Sequence, residues 1–563
     1  MSTIPRETAA AAGATTDTGD ERQRRGRRVL PIVIGALATI ALFVVYLRLA
    51  RTRAVNSDGS SQALQAWDIL HGNVLLHGWI LTDVSFYTTE IPEYMLVDLV
   101  HGLGAGVVQI SAAITYTLAV VLAALLAKGA ATGREAAVRV LLAVGIMLAP
   151  QLGSGANVLL SSPDHIGTSV PVMLTWLILE RSRPRWWVPA VTFVLLAWSM
   201  VADELVLLVG VLPLIAVCAV RAGRALLAAR RSAAPGAGGI WREPRYEAAL
   251  AGAAVAAALV ATAVPHVLYH VGGFYLKPVR SQLAPLSLIT GHNLRLTGEG
   301  VLLLGGADFS GLPAGAHKWF VILHLVGVAL AVLGVLVTAW RFFRGEDRLP
   351  QLLLAGIVIN VVAYALGTNA VTLPNTREIA PLLPFAAALA GYQLGPRLLT
   401  MRVTARRVAI PVLGLVLAGY VAGLGLELTA PEPPAQNTQL ATWLADHPMG
   451  TGLSGYWESN AVVLTSGGRA SVRAVKLVGG RIAPLPINVK VGWFDPAVSR
   501  ADFVVLAPDV LGNGGPESRK AVIANFGEPW RVYHVGRYTI MQWRKNLLRD
   551  LGPVTNVPWT YGK

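Results

Sequence analysis

Residues 24–59 read RRGRRVLPIVIGALATIALFVVYLRLARTRAVNSDG. Four arginines precede a long apolar run, and a short polar stretch that contains Asp58 follows it. About twenty residues of helix cover the roughly 30 Å hydrocarbon core of a bilayer. Arginines beside a span favour the cytoplasmic side. The stretch therefore predicts a first transmembrane helix that runs outward and places Asp58 just beyond the membrane.

The composition of the whole chain is typical of a polytopic membrane protein. Of its 563 residues 54% are hydrophobic and 14% are charged, whereas a soluble chain carries about 25% charged residues. We expect an α-helical protein with about eleven transmembrane helices, each long enough, or nearly so, to cross a bilayer. They lie near residues 29–49, 107–127, 136–151, 166–180, 187–202, 204–220, 247–267, 317–340, 350–368, 378–395 and 408–428.

The arginines predict the orientation. Arginine-rich loops follow the second, fourth, sixth, eighth and tenth stretches, so the positive-inside rule places the N-terminus in the cytoplasm and the C-terminus outside. The net charge of +15 is then mostly topological, and no nucleic-acid partner is expected. A twin-arginine export signal is the alternative for residues 24–28, but no small-residue cleavage site follows them.

Three parts follow from these patterns. Residues 1–28 are polar and predict a disordered cytoplasmic tail. Residues 29–428 form the membrane domain, and its first outer loop, 50–106, carries two short interfacial helices. Residues 429–563 predict a soluble α/β domain outside the membrane, because apolar runs there shorten to strand length.

Within the soluble part we expect strands at 461–465, 472–478, 503–507, 531–535 and 538–543, and helices at 439–446 and 516–526.

Acidic side chains outside the membrane are the candidate catalytic groups. Asp58 and Glu90 each lie at the start of a predicted interfacial helix. The alternative role of Asp58 is that of a helix N-cap, for which aspartate is a preferred residue. Asp164 and His165 lie at the outer mouth of the fourth span, where they hold a polar acceptor, ligate a divalent cation or form a solvated turn. No other cofactor is predicted.

Basic residues outside the membrane point to an anionic ligand. The outer loop 268–316 departs from the charge rule that the other outer loops obey, and Arg377 adds a cation at the outer membrane edge. Guanidinium and ammonium groups bind phosphate through charge-assisted hydrogen bonds. The alternative for Arg377 is a local pair with Glu378 or snorkelling. The basic residues of the loop are Lys277, Arg280, His292 and Arg295.

Several short motifs resemble one family. The pattern Asp58-Gly59, Gln65-Ala66, Gly72-Asn73 is similar to the first outer loop of the GT-C superfamily of polyprenyl-phosphate-dependent glycosyltransferases, in its protein-mannosyltransferase and aminoarabinose-transferase branches. Gly59 stands where those branches commonly have a second acid. Later motifs of the same enzymes resemble Thr89-Glu90-Ile91-Pro92, Pro163-Asp164-His165 and Thr376-Arg377-Glu378.

The resemblance implies a plasma-membrane enzyme that moves a sugar from a polyprenyl-phosphate donor to an extracytoplasmic hydroxyl with inversion. The acceptor is a glycan, lipid or protein of the cell envelope, and the alanine- and arginine-rich composition suggests an actinobacterial type. Asp58 is the expected general base, with Glu90 or Asp164 orienting the acceptor. The donor phosphate would meet Arg377, Lys277, Arg280 and Arg295, and the acceptor or sugar would meet His165, Tyr456 and Trp457.

Two other classes of function stay open at this point. A transporter or flippase usually carries ionisable groups inside its spans, but here His324 and Asn360 are the clearest polar exceptions. A non-catalytic envelope scaffold would leave Asp58 and the basic outer loop without a role. Tyr456 and Trp457 also have a plain alternative, which is packing in the core or at the membrane.

Overall fold

The structure is a computed structural model, and it describes residues 17–151, 158–231, 242–278, 281–309, 312, 315–344, 347–429, 431, 437–447, 449–507 and 519–560. Arg280 lies outside these residues, as do the predicted tail up to residue 16, most of the linker near residue 432, and the start of the helix predicted at 516–526.

Every predicted transmembrane stretch is helical in the structure. The helices are α1 (Asp17–Arg51), α4 (Ala105–Lys128), α5 (Gly133–Met147), α6 (Asp164–Arg181), α7 (Trp187–Ala202), α8 (Leu212–Arg231), α9 (Arg242–His270), α12 (Ala316–Arg341), α13 (Arg348–Leu366), α14 (Leu382–Thr400) and α15 (Val403–Thr429). A π-helical turn, Leu207–Val211, leads into α8. Among the described residues, seven helices are long and apolar enough to cross a membrane.

Those seven segments are Leu30–Arg51, Ala105–Lys128, Leu207–Ala228, Pro244–His270, His317–Arg341, Arg348–Leu366 and Val403–Thr429.

Small residues let α14 pack closely among its neighbours. A Cβ atom at Gly391 would lie 2.4 Å from the carbonyl oxygen of Arg139 on α5, and one at Gly334 on α12 would lie 2.7 Å from the backbone of Ala390. Close backbone approach at glycine and alanine is the usual way that membrane helices gain packing energy. α14, the helix that follows Arg377, is therefore packed closely against both α5 and α12.

The first outer loop forms the two predicted interfacial helices, α2 (Ser57–Leu70) and α3 (Glu90–His101). The N-cap of α2 is Asn56, whose side-chain oxygen accepts a 2.9 Å hydrogen bond from the amide of Gly59. The N-cap alternative for Asp58 is therefore wrong, and its carboxylate is left for other partners. A Cβ atom at Gly59 would lie 2.7 Å from Val108 on α4, which explains glycine at this position.

Three short helices connect the remaining membrane elements. They are α10 (Leu286–Leu288), the π-helical turn Ile289–Asn293 and α11 (Leu294–Leu304), and a 3₁₀ helix, Leu373–Ile379, precedes α14.

The C-terminal part contains a six-stranded sheet in the order β5-β4-β3-β7-β9-β8. β3 lies in the centre and pairs in parallel with β4 and β7, whereas the other pairings are antiparallel. The strands are β3 (Thr451–Ser454), β4 (Ser471–Val478), β5 (Arg481–Pro484), β7 (Phe503–Leu506), β8 (Arg531–Val535) and β9 (Tyr538–Gln542), with helices α16 (Thr438–Asp446), α17 (Asn460–Thr465) and α18 (Arg519–Phe526).

One predicted strand is wrong. Residues 461–465 form α17, because a short apolar run is compatible with either structure and only packing decides between them. Leu464 is fully buried in a cluster with Ala63 and Ala66 of α2. The strands expected at 472–478, 503–507, 531–535 and 538–543 are confirmed within one residue at each end, whereas β3 and β5 were not predicted.

A second, three-stranded sheet joins the C-terminal part to the first outer loop. β1 (Trp79–Leu81) pairs in parallel with β2 (Tyr275–Leu276) and antiparallel with β6 (Val489–Lys490). Asp68 reinforces this junction, since it lies 3.0 Å from the Lys490 ammonium and accepts a 2.8 Å hydrogen bond from the indole of Trp79.

The predicted orientation can be tested by cysteine labelling. The single native cysteine, Cys218, is 1% exposed and should give little background. Val498→Cys, at a position that is 76% exposed, should react with a membrane-impermeant maleimide in intact cells. Thr132→Cys, in the exposed turn between α4 and α5, should react only after lysis. The reverse pattern would contradict the predicted topology.

Candidate active site

Asp58 lies in the first turn of α2, where the helix dipole favours a negative charge. Its side chain is 16% exposed and turns toward residues that are distant in the chain. One oxygen, Oδ2, accepts a 2.7 Å hydrogen bond from Nη1 of Arg377, and the other, Oδ1, accepts a 2.6 Å hydrogen bond from the hydroxyl of Tyr456. Both oxygens of the expected base are thus engaged by strong donors.

Arg377 is held by the 3₁₀ helix before α14. Asn375 fixes the start of that helix, because its side-chain oxygen accepts hydrogen bonds from the amide (3.1 Å) and hydroxyl (2.7 Å) of Thr372. The Arg377 guanidinium pairs with Asp58 at 2.7 Å and lies 3.6 Å from Asp164. The alternative of a purely local pair with Glu378 is therefore wrong.

Tyr456 brings the C-terminal part into the site. Its side chain is 3% exposed, its hydroxyl donates to Asp58, and the same hydroxyl accepts a 3.0 Å hydrogen bond from Nδ2 of Asn488. The hydroxyl of Ser57 donates to the carbonyl of Tyr456 at 2.6 Å. The tyrosine is thus fixed from both sides, and its position decides where the Asp58 carboxylate points.

Charge decides the protonation of Asp58. Burial alone would raise the pKa of Asp58, but the charge of Arg377 and the hydrogen bonds from Arg377 and Tyr456 outweigh it and leave the pKa below its ordinary value. Asp58 is therefore ionised at neutral pH. Removing either donor should make it a stronger base.

Asp164 and His165 begin α6 beside this group. Asp164 accepts hydrogen bonds from Gln62 (3.1 Å) and Ser162 (2.6 Å), and its φ of +28° is a conformation that non-glycine residues rarely adopt. Such a conformation costs energy and persists only where the surrounding contacts hold the residue in place. Nδ1 of His165 lies 2.9 Å from Oδ2 of Asp203.

An open cavity of about 1350 Å³ is lined by Asp58, Asp164, His165, Asp203 and Arg377, among others. Acidic residues dominate its wall, while Arg377 and His165 are the basic residues among its described lining. A second cavity, which shares Asp83 and Glu204 with the first, is lined by Lys277 and by apolar residues of α7 and α9. The acidic lining residues of the first cavity are Asp58, Asp83, Asp164, Asp203, Glu204 and Glu378.

Other predicted site residues lie farther away. Glu90 is 2% exposed and packs against Gly167, where an added Cβ would lie 2.2 Å from its Oε1. Burial raises the pKa of Glu90 well above its ordinary value. Arg295 is 70% exposed and faces Glu299 at 3.8 Å. Trp457 packs edge-on against Tyr456, with ring centroids 5.1 Å apart, and it is absent from the described cavity lining.

Sequence reasoning missed Gln62, Asn488 and Asp203 as members of the site. Gln62 follows Asp58 by four residues, so helical spacing could have placed both on one face of α2. No local signal marks Asn488, because it reaches the site only through the pairing of β6 with β1. In the described part of the chain, no group of three or more histidine, cysteine or acidic side chains is arranged to hold a metal.

Removal of the Arg377 charge should destabilise the protein. Arg377→Ala leaves the largely buried carboxylates of Asp58 and Asp164 beside an empty space, and we expect a loss of about 2 kcal/mol, below the roughly 3–5 kcal/mol of a fully buried pair. Burial then raises the pKa of Asp58, with only the hydrogen bond from Tyr456 and the charge of His165 left to lower it, so ionisation destabilises the variant as the pH rises. In the wild type the lowered pKa stabilises the fold above about pH 4. The difference in melting temperature should therefore widen from pH 5 to pH 8.

Arg295→Ala is the matched control, because this arginine is 70% exposed and its only described ionic contact is the local one with Glu299. It should change stability by less than about 0.5 kcal/mol at either pH. Equal losses in the two variants would contradict a structural role for the Asp58–Arg377 pair.

Neither a family model nor a curated protein sequence matches the chain. Solved structures do match. ArnT from Cupriavidus metallidurans in the apo state aligns with a TM-score of 0.52 at 14% identity, over 94% of this chain and all of that one. The same protein bound to undecaprenyl phosphate aligns with a TM-score of 0.51 at 12% identity, over 93% of this chain and 99% of that one.

The oligosaccharyltransferase of Archaeoglobus fulgidus aligns with a TM-score of 0.42 at 14% identity, over 83% of this chain and 68% of that one, which is too weak a similarity to argue from. The likeness to ArnT extends over almost the full length of both chains and includes the C-terminal sheet region. The GT-C fold expected from the sequence is therefore confirmed.

Proposed function

We propose that the chain is a membrane glycosyltransferase that moves a sugar from a polyprenyl phosphate to an acceptor hydroxyl at the outer face of the membrane. The observation that carries the proposal is the pairing of ionised Asp58 with Arg377 at the wall of an open cavity. The Asp58 carboxylate can accept a proton, and the Arg377 guanidinium can bind a phosphate. The fold of ArnT, a protein whose structure is known with undecaprenyl phosphate, supports the same assignment.

The reaction needs only one carboxylate. The acceptor oxygen forms a bond to the anomeric carbon, the bond from that carbon to the phosphate oxygen breaks, and its electron pair leaves with the lipid phosphate. The phosphate leaves without a proton because its second pKa is about 6. The proton of the acceptor hydroxyl passes to Asp58 as general base. A single displacement of this kind inverts the anomeric configuration.

Arg377 links donor binding to the strength of the base. In the structure its guanidinium donates to Asp58 and helps to keep the pKa of that carboxylate low. A donor phosphate beside Arg377 competes for the same guanidinium. Asp58 then loses a donor, its pKa rises, and it becomes a stronger base when the donor is in place. Arg377 meanwhile stabilises the charge that develops on the leaving phosphate.

The remaining predicted residues have graded support. Asp164 lines the main cavity 3.6 Å from Arg377, which suits its predicted role of orienting the acceptor, and Lys277 lines the adjoining cavity, where it is open to a second phosphate contact. His165 lines the main cavity and suits a contact with the acceptor or the sugar. The roles assigned to Glu90, Arg295 and Trp457 stay predictions.

Transport has less support. The two clearest polar exceptions inside the predicted spans have structural partners: His324 lies 3.0 Å from the carbonyl of Ala149 and stacks on Tyr420, and Asn360 donates to the carbonyl of Glu378. Both contacts lie between packed helices or at a loop. They stabilise the bundle and do not form a polar path through it.

The first test is sugar transfer by Asp58→Asn. Asparagine keeps the size of the side chain but accepts no proton at neutral pH, so transfer should fall by at least about 100-fold. The measurement is transfer of radiolabelled sugar in membranes, with a panel of polyprenyl-phosphate sugars and with protein levels matched by immunoblot. Equal transfer by the variant and the wild type would remove Asp58 as the base.

Asp68→Asn is the matched control, because Asp68 lies on the same helix and pairs with a lysine, yet it is absent from the described lining of the cavity. It should retain transfer within a few-fold. A loss as large as that of Asp58→Asn would show that α2 tolerates no change of charge, and the assignment of the base would then fail.

Tyr456→Phe tests the positioning role of the tyrosine. The variant keeps the ring but loses the donor to Oδ1 of Asp58, so the pKa of Asp58 rises. The acid limb of the kcat/KM profile should move to higher pH by about one unit, while the plateau falls only a few-fold. A fall of equal size at every pH, with no shift of the limb, would contradict this role.

A further inference from the structure

A basic cavity lies at the other end of the helix bundle. Helix α14 begins at Leu382, five residues after Arg377, and reaches Arg397 after fifteen more, which is about 22 Å at 1.5 Å per residue. Beside Arg397 the ends of α5, α12, α13 and α14 surround a space of about 1300 Å³. Its charged lining residues are Arg139, Arg341, Arg344, Asp347 and Arg397.

Few of the described acidic groups lie near these arginines. Arg139 pairs with Glu135 at 2.6 Å and lies over the ring of Tyr392, and Asp347 accepts a 3.0 Å hydrogen bond from that tyrosine. Among the described carboxylates, none lies within ion-pair distance of the other lining arginines, Arg341, Arg344 and Arg397. Like charges that converge on one cavity repel each other, and an anion placed between them relieves that repulsion.

The positive-inside rule explains why arginines lie at this end, but it does not explain why four of them line one cavity. Arg181 and Arg183 belong to the same set of loops, and both are exposed and absent from the described lining. The convergence is therefore a property of this cavity and not of the whole membrane edge.

An apolar groove begins beside the basic cavity. It runs between α5, α12, α14 and α15, with an empty volume of about 940 Å³, and its described lining is almost entirely apolar. The two sites have neighbouring lining residues on α14: Leu398 and Leu399 line the groove, while Arg397 and Thr400 line the cavity. A basic pocket beside an apolar groove matches a molecule with an anionic head and a hydrocarbon tail.

The length of the groove fits one leaflet. On α15 the groove lining runs from Ile410 to Tyr420, which is ten residues or about 15 Å. Half of a bilayer's hydrocarbon core is about 15 Å thick. The groove is therefore long enough for an acyl chain that reaches from one leaflet to near the bilayer midplane.

We propose that this cavity and groove bind an anionic phospholipid from the leaflet opposite the Asp58 site. The phosphate lies among Arg341, Arg344 and Arg397, and one acyl chain follows the groove between α12 and α15. Basic pockets between transmembrane helices hold lipid head groups in this way. The bound lipid fills the gap beside α15, a helix with few buried residues. The proposal does not depend on the transfer chemistry at Asp58.

Native mass spectrometry of the full-length protein in detergent tests the proposal. The chain is titrated with phosphatidylglycerol or with phosphatidylcholine of the same acyl composition. We expect at least a tenfold preference for phosphatidylglycerol. The double variant Arg341→Gln/Arg397→Gln should lose that preference, whereas Arg181→Gln/Arg183→Gln should keep it. Equal binding of the two lipids by the wild type, or an equal loss in both double variants, would overturn the proposal.

Gly414→Phe tests the groove without changing any charge. A Cβ atom at Gly414 has no other atom within 4 Å, so the ring enters the groove and the fold is kept. We expect an unchanged melting temperature without lipid and at least a tenfold weaker binding of phosphatidylglycerol. Unchanged lipid binding would overturn the acyl part. Displacement of the lipid by equimolar sn-glycerol 3-phosphate would assign the cavity to a free anion and overturn the lipid.

Discussion

The ion pair between Asp58 and Arg377 is the interaction on which the outer half of the structure depends. It joins the start of the first outer loop to the turn before α14, 319 residues later. Neither charge is fully solvated. The desolvation cost of each is therefore offset by the other charge and by the hydrogen-bond donors and acceptors around the pair. Two further elements contribute to this compensation: Tyr456 donates a hydrogen bond to Asp58, and Asp164 lies beside Arg377. Four distant parts of the chain are thereby fixed around one carboxylate.

The C-terminal part is an integral component of the site. Its strand β6 pairs with β1 of the first outer loop, α17 packs Leu464 against α2, and Asn488 positions the hydroxyl of Tyr456. The three-residue strand β1 is paired along both edges, so little of its backbone is left unpaired. A movement of this part would change the hydrogen bonding of Asp58 directly.

Charge is distributed unevenly between the two ends of the bundle. The cavity beside Asp58 has an acidic wall in which Arg377 is shared between carboxylates, and the opposite cavity has a basic wall with few acids among its described lining. In the proposed reaction a donor phosphate would compete with Asp58 for the guanidinium, and this competition would link donor binding to basicity. At the other end, the proposed lipid phosphate would meet no described carboxylate within ion-pair distance of Arg341, Arg344 and Arg397.

The sequence alone determined the helical membrane class and the helical stretches, and it singled out Asp58 and Arg377 as candidate site residues, because hydropathy, arginine placement and short motifs are local properties of the chain. It did not determine that these two residues pair, that Asn56 caps α2, or that residues 461–465 are helical. Asn488 and Asp203 likewise joined the site only in three dimensions. Each of these outcomes is decided by which distant atoms satisfy a buried charge or cover an apolar face, and only the tertiary structure brings those atoms together.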